Sequence, residues 1–64
     1  MARLKEMELK RHGCVSLVSR MYPDDTLFDY VVYVNVDGKS YSYGFGDAYD
    51  VALKTFDEQV ANLG

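Results

Sequence analysis

Few side chains in this sequence are equipped for chemistry. His12 and Cys14 are its only histidine and its only cysteine. Two residues apart, they share one side of an extended strand, where an imidazole can activate a thiol or both can ligate a soft metal. A structural zinc site takes about four such ligands, and no further His or Cys exists to complete one. The ordinary reading is a polar turn residue followed by a small buried hydrophobe. Asp24-Asp25 and Asp57-Glu58 are adjacent carboxylates of the kind that divide acid and base roles, yet neither pair lies in an apolar run that would raise a pKa. Gly44-Phe45-Gly46 leads into a helical pattern, as phosphate-binding loops do. That helix opens with Asp47 and Asp50, whose charges occupy the positive end of the dipole and repel a phosphate. The expectation is a protein with no catalytic residues, no metal and no cofactor, and hence not an enzyme.

Binding is the remaining class, and the aromatic residues bear on it. Of six tyrosines and three phenylalanines, Tyr30, Tyr41, Tyr43, Tyr49, Phe28, Phe45 and Phe56 fit a core pattern. Tyr22 and Tyr33 do not. With Val18 and Val31 they form a semi-apolar patch on the outer face of a sheet, a feature of protein interfaces.

The elements that position these residues follow from turn chemistry and periodicity. Asp37-Gly38 is the strongest short hairpin signal, because a type I′ turn needs positive φ at both central residues. Pairing outward from it sets Val36 opposite Lys39, Val34 opposite Tyr41, Val32 opposite Tyr43 and Tyr30 opposite Phe45. Asn35 with Ser40, Tyr33 with Ser42 and Val31 with Gly44 take the other face. Cys14 to Tyr22 reads as a preceding strand with Val15, Leu17 and Met21 inward, mildly interrupted by Ser19, and Pro23-Asp24-Asp25-Thr26 reads as a turn. Asp47 to Leu63 is the clearest helix, with Asp47 as N-cap and Asp50 at the third helical position. Its Tyr49, Ala52, Leu53, Phe56, Val60 and Leu63 are placed to pack on the Tyr41, Tyr43, Phe45, Val32 and Val34 face. Gly64 ends the chain. Leu4, Met7 and the stem of Arg11 share a helical stripe ahead of Gly13, so Ala2 to Arg11 is expected to be a short helix rather than a strand. The expectation is a single α+β domain over residues 1–64, a three-stranded meander under a C-terminal helix in the order αβββα.

Composition sets bounds. A chain of 64 residues buries about 60% of its unfolded surface, so stability should be modest. At 48% hydrophobic and 27% charged, it is too apolar for a disordered segment. A single cysteine allows no internal disulfide, and no run approaches the roughly 20 apolar residues of a membrane span. A cytoplasmic protein with no membrane partner is expected. The net charge of −3 hides an asymmetry. Up to Tyr22 five cations (Arg3, Lys5, Lys10, Arg11, Arg20) stand against Glu6 and Glu8, a balance of +3. From Pro23 onward Lys39 and Lys54 stand against seven Asp and Glu58, a balance of −6.

From Val36-Asp37-Gly38-Lys39-Ser40-Tyr41 through Gly44-Phe45-Gly46 to Ala52 and Lys54, the chain resembles the second half of a double-stranded RNA-binding domain. The resemblance implies the αβββα order and recognition of duplex RNA by shape and phosphate contacts. The family's phosphate-binding lysine pair aligns with Tyr49 and Asp50, and its next lysine with Leu53. Only Arg3, Lys5, Lys10, Arg11 and Lys54 are left to contact nucleic acid. By type alone, a small acidic protein of this kind also resembles the inhibitors that bacteriophages direct at host enzymes or defence complexes. The first expectation for function is therefore a non-catalytic protein-binding module, an inhibitor or adaptor whose protein partner is itself of a nucleic-acid-binding kind. It would dock through Asp47, Asp50, Lys54, Asp57 and Glu58 of the helix or through Tyr22 and Tyr33 of the sheet. A degenerate RNA-binding domain ranks second. Self-association as a homodimer through the edge strand Lys39 to Phe45 ranks third.

Overall fold

The computed structural model describes residues 3–63. Four strands, β1 (Lys5–His12), β2 (Val15–Met21), β3 (Leu27–Val36) and β4 (Lys39–Gly44), precede one helix, α1 (Tyr49–Leu63). The strands form a single antiparallel meander in sequence order, and the class is α+β. Gly64 and the Ala2 start of the expected N-terminal helix lie outside the described residues.

Three short turns build the meander. Asp37 and Gly38 both hold positive φ, at 53° and 76°, as a type I′ turn demands. The β3–β4 register follows as the sequence pattern sets it, from Val36 opposite Lys39 to Val31 opposite Gly44. Past β4, the Phe45 N–H donates to the Tyr30 carbonyl at 2.9 Å and the Tyr30 N–H donates to the Gly46 carbonyl at 2.8 Å, adding one extra residue. Between β2 and β3, Pro23 and Asp24 occupy the centre of a turn closed by the Asp25 N–H on the Tyr22 carbonyl at 2.9 Å. Asp25 then takes φ 69°, the left-handed residue that ends a three-residue hairpin loop. The Asp24 carboxylate accepts the Thr26 N–H at 3.0 Å, an Asx turn.

The N-terminal segment is a strand, not a helix, so the order is ββββα and the sheet has four strands rather than three. Gly13, with φ 59°, supplies the first central residue of a two-residue turn and folds β1 back on β2 from His12 opposite Val15 to Lys5 opposite Met21. Backbone pairing overrides a weak helical stripe here. No residue of β1 is buried, and Glu6 faces Arg20 directly across the ladder, an opposite-charge pair that stabilises an antiparallel register. A bulge at Leu9 shifts the pairing between Glu8 and Lys10.

The core is where α1 crosses the central strands. Val15, Leu17, Val32, Val34, Ala52 and Phe56 form the buried cluster, with Tyr30, Val36, Phe45, Leu53 and Val60 packed around it. α1 lies on β2 and β3, so the aromatics of β4 sit on the expected face but outside the helix's shadow. Tyr41 is 46% and Tyr43 41% exposed, correcting their place in the core. Tyr49 is also exposed, its ring edge-on to Tyr30 at 5.2 Å. Phe28 leaves the core for another reason. Met21 pairs with Leu27 and Arg20 with Asp29, so Phe28 is the unpaired residue of a bulge, and its ring stacks edge-on with Tyr22 at 5.4 Å instead. The helix cap also shifts. Gly46 takes φ 57° and the Ala48 N–H bonds the Phe45 carbonyl at 3.1 Å, a turn that consumes Asp47. Ala48 then accepts the first helical N–H, from Ala52 at 3.0 Å. Ala48 is therefore the N-cap, and Asp50 stands at the second helical position.

Ser19 faces this core at 2% exposure, and its hydroxyl has no hydrogen-bond partner among the described residues. An unpartnered buried hydroxyl costs free energy that an apolar side chain would not. Ser19→Ala should therefore raise stability by about 1 kcal/mol, read as a higher urea midpoint at unchanged slope. A lower midpoint would mean that the hydroxyl is satisfied in solution.

Candidate functional site

The face of the sheet away from α1 is polar over an apolar floor. Val18 and Val31 are directly opposed at its centre and are 7% and 2% exposed. Arg20 and Asp29, the next pair on that face, bind as a fork, Nε to one carboxylate oxygen at 2.7 Å and Nη2 to the other at 2.5 Å. Asp29 is 8% exposed, and its hydrogen bonds raise the Arg20 guanidinium's pKa above its ordinary value, keeping it charged. The guanidinium also lies over the Phe28 ring, 5.4 Å from its centroid. The Tyr33 hydroxyl donates to the Glu6 carboxylate at 3.0 Å, tying β3 to β1 across β2. Burial, and then that hydrogen bond, push the Tyr33 phenol above its ordinary 10.0. Tyr33 and Tyr22 are consequently not one apolar patch. Tyr33 is half-buried in the polar network, while Tyr22 stands exposed against Phe28 at the β2–β3 turn.

The second surface is α1. With about 100° per residue, Asp50, Lys54, Asp57 and Glu58 fall on the side opposite Ala52 and Phe56, and all four are exposed. Asp47 precedes them, also exposed. Among the described residues, none of these carboxylates is ion-paired. The cations of the N-terminal half are spent differently. Lys5 binds Asp25, Arg11 lies 3.6 Å from Glu8, and Arg20 holds Asp29. The Lys10 ammonium sits 5.2 Å above the Phe56 ring. Lys5 and Lys10 lie on the same face of the sheet. Lys10 shares a face with Leu17, Arg11 shares the other with Ser16, and Lys54 points off the helix.

Between β1 and the C-terminal half of α1 runs an open groove of about 390 Å³, lined by Lys10, Arg11, His12, Phe56, Asp57 and Val60. A smaller recess of about 180 Å³ adjoins it, lined by His12, Gly13, Cys14, Val15, Val60 and Leu63. His12 and Cys14 both line this recess. Cys14 is exposed on the turn rather than buried, because Gly13-Cys14 is the loop itself. Among the described residues no group of three or more His, Cys, Asp or Glu is placed to hold a metal ion, and no helix is long and apolar enough to cross a membrane. The sequence pattern did not single out Glu6, Arg20 or Asp29. The signal was available only through the register, which pairs Arg20 with Asp29. No protein-family model, curated protein or solved structure matches the chain.

Two outcomes test the network. The Arg20–Asp29 pair is partly exposed, at 28% and 12% of its side chains. Asp29→Ala should cost about 2 kcal/mol, between an exposed and a fully buried pair. The double variant Arg20→Met/Asp29→Leu should recover most of that loss in urea unfolding, whereas equal losses would deny the pair its role. For Tyr33, a folded pKa above the unfolded value favours the neutral phenol. Its contribution is present below about pH 10 and lost as pH rises through the folded value. Tyr33→Phe should remove a phenolate absorbance step lying above pH 10 and blunt the alkaline loss of stability. An unchanged titration would contradict the Tyr33–Glu6 contact.

Proposed function

We propose that the chain is a small non-catalytic protein-binding module, an inhibitor or adaptor that docks a basic protein surface through the solvent side of α1. The carrying observation is the composition of that side: carboxylates without cation partners among the described residues, bordered by an apolar side chain held in water. Val51 is 47% exposed at the border of this side, Asp50, Asp57 and Glu58 are exposed along the helix, and Asp47 is exposed in the turn just before it. Apolar anchors within a charged rim are what a protein interface requires. Complementary charge speeds and orients the encounter. The opposite side of the helix is core, so the docking side can vary without loss of the fold. A partner that itself binds nucleic acid fits the chemistry, since its phosphate-binding surface is basic.

Asp50→Lys/Asp57→Lys should leave thermal unfolding nearly unchanged and lower capture of the partner from extract at least tenfold, with the wild-type complex weakening as salt rises. Capture equal to wild type would remove the helix from the reading. Capture abolished by nuclease would replace it with nucleic-acid binding through Arg3, Lys5, Lys10, Arg11 and Lys54.

A further inference from the structure

The β3–β4 ladder decides which backbone groups of β4 are already used. The two-residue turn makes Val36 and Lys39 a hydrogen-bonded pair, and alternation gives Val34 with Tyr41 and Val32 with Tyr43 the same status. The Phe45 N–H on the Tyr30 carbonyl continues that phase. The N–H and C=O groups of Ser40, Ser42 and Gly44 therefore point to the open edge of the sheet.

Proteins normally blunt such an edge with charge, proline or a bulge. β1, the other edge, carries Lys5, Glu6, Glu8, Lys10 and Arg11 and is bulged at Leu9. β4 has none of these devices. Its one charge, Lys39, stands at the turn, its register is unbroken, and all its residues are exposed. The flank of α1 turned away from β1 carries Val51, Thr55 and Gln59, all uncharged. An unguarded strand thus borders an uncharged flank, with the half-exposed rings of Tyr41 and Tyr43 between them.

We propose that β4 pairs with β4 of a second copy of this chain, antiparallel about a two-fold axis through Ser42, joining two four-stranded sheets into one. Centring on Ser42 sets it opposite Ser42 of the partner subunit and sets Ser40 opposite Gly44 of the partner subunit. All three outward-facing residues are then satisfied. Centring on Tyr41 strands Gly44. In the Ser42 register Tyr41 lies across from Tyr43 of the partner subunit, an aromatic ladder on the helix face, and small residues meet on the other. Lys39 comes opposite Phe45 of the partner subunit rather than a second cation. A second copy is the occupant because the edge is its own complement and because no charged residue lies between Lys39 and Asp47 to oppose the pairing. With α1 over β2 and β3, four strand spacings put the two helix axes about 19 Å apart, a gap for the tyrosines to fill. Beyond the docking reading, this pairing turns both acidic helices to one face of the assembly.

The test uses the full chain with Cys14→Ser, which removes the competing thiol. Light scattering should show the mass rising with concentration from 7.3 kDa to twice that, and Ser42→Pro, which removes an outward N–H and none of the β3–β4 hydrogen bonds, should hold it at the monomer. Register is read by cross-linking. Ser42→Cys brings two Cα atoms to about 5.5 Å, within disulfide reach, and should oxidise to a covalent dimer. Ser40→Cys, about 14 Å from its mate, should not. A monomer at every concentration, or equal cross-linking of the two variants, overturns the proposal. If the monomer still captures a partner that Asp50→Lys/Asp57→Lys loses, only the pairing has failed. Loss of neither capture nor dimer in that variant refutes the docking reading alone.

Discussion

One helix cannot cover four strands, and most of the structure follows from that mismatch. An α-helix with its side chains is about 10 Å across, and paired strands are about 4.8 Å apart. α1 therefore shields two strands, and the buried cluster of Val15, Leu17, Val32, Val34, Ala52 and Phe56 belongs to β2, β3 and the helix alone. β1 and β4 are held to this core by their ladders. Their inward-facing side chains emerge on either side of α1, with Met7 60% and Tyr41 46% exposed.

The parts left uncovered are stabilised by polar means. On the far side of the sheet no second layer exists among the described residues, yet Val18 and Val31 are nearly dry. Arg20, Tyr33 and Glu8 flank them on the same face, and long amphipathic side chains bury their stems over apolar neighbours while keeping their polar ends wet. The Arg20–Asp29 fork and the Tyr33–Glu6 bond fix those side chains in place. β1 is tied down similarly, by Glu6 across from Arg20 and by Lys10 lying on Phe56. In a chain of 7.3 kDa, whose core is necessarily small, such contacts are a substantial fraction of the net stability.

Where local chemistry decides, the sequence was legible. Asp37-Gly38 sets a turn and the turn sets a register, so the β3–β4 pairing could be written residue by residue. The Asp24 turn and the span of α1 were readable for the same reason. Counting and covering were not. An apolar alternation reports which face of a strand is inward but not whether a helix lies above it, so Tyr41 and Tyr43 read as core. Bulges escape period-two reasoning altogether, which is how Phe28 left the face its number assigns. The helix began a residue late because Gly46 turns the chain before Ala48 can cap it. The exposed placement of Asp50, Lys54, Asp57 and Glu58 on α1 was readable from helical spacing. The Arg20–Asp29–Phe28 cluster required the register of a hairpin whose bulge leaves no trace in hydropathy.

β1 shows why some strands resist reading. Its signature as a strand should be apolar alternation, and it has almost none, because five of its side chains are formally charged and none is buried. Those same charges keep an edge strand from pairing with foreign strands. A well-guarded edge is thus intrinsically hard to recognise, since the residues that protect it erase the period that would reveal it. β4 is the converse. Its Tyr-Ser-Tyr alternation made it easy to read as a strand, and the lack of charge behind that clarity leaves its backbone open to a partner. Edge protection and legibility trade against each other in this sheet, strand by strand.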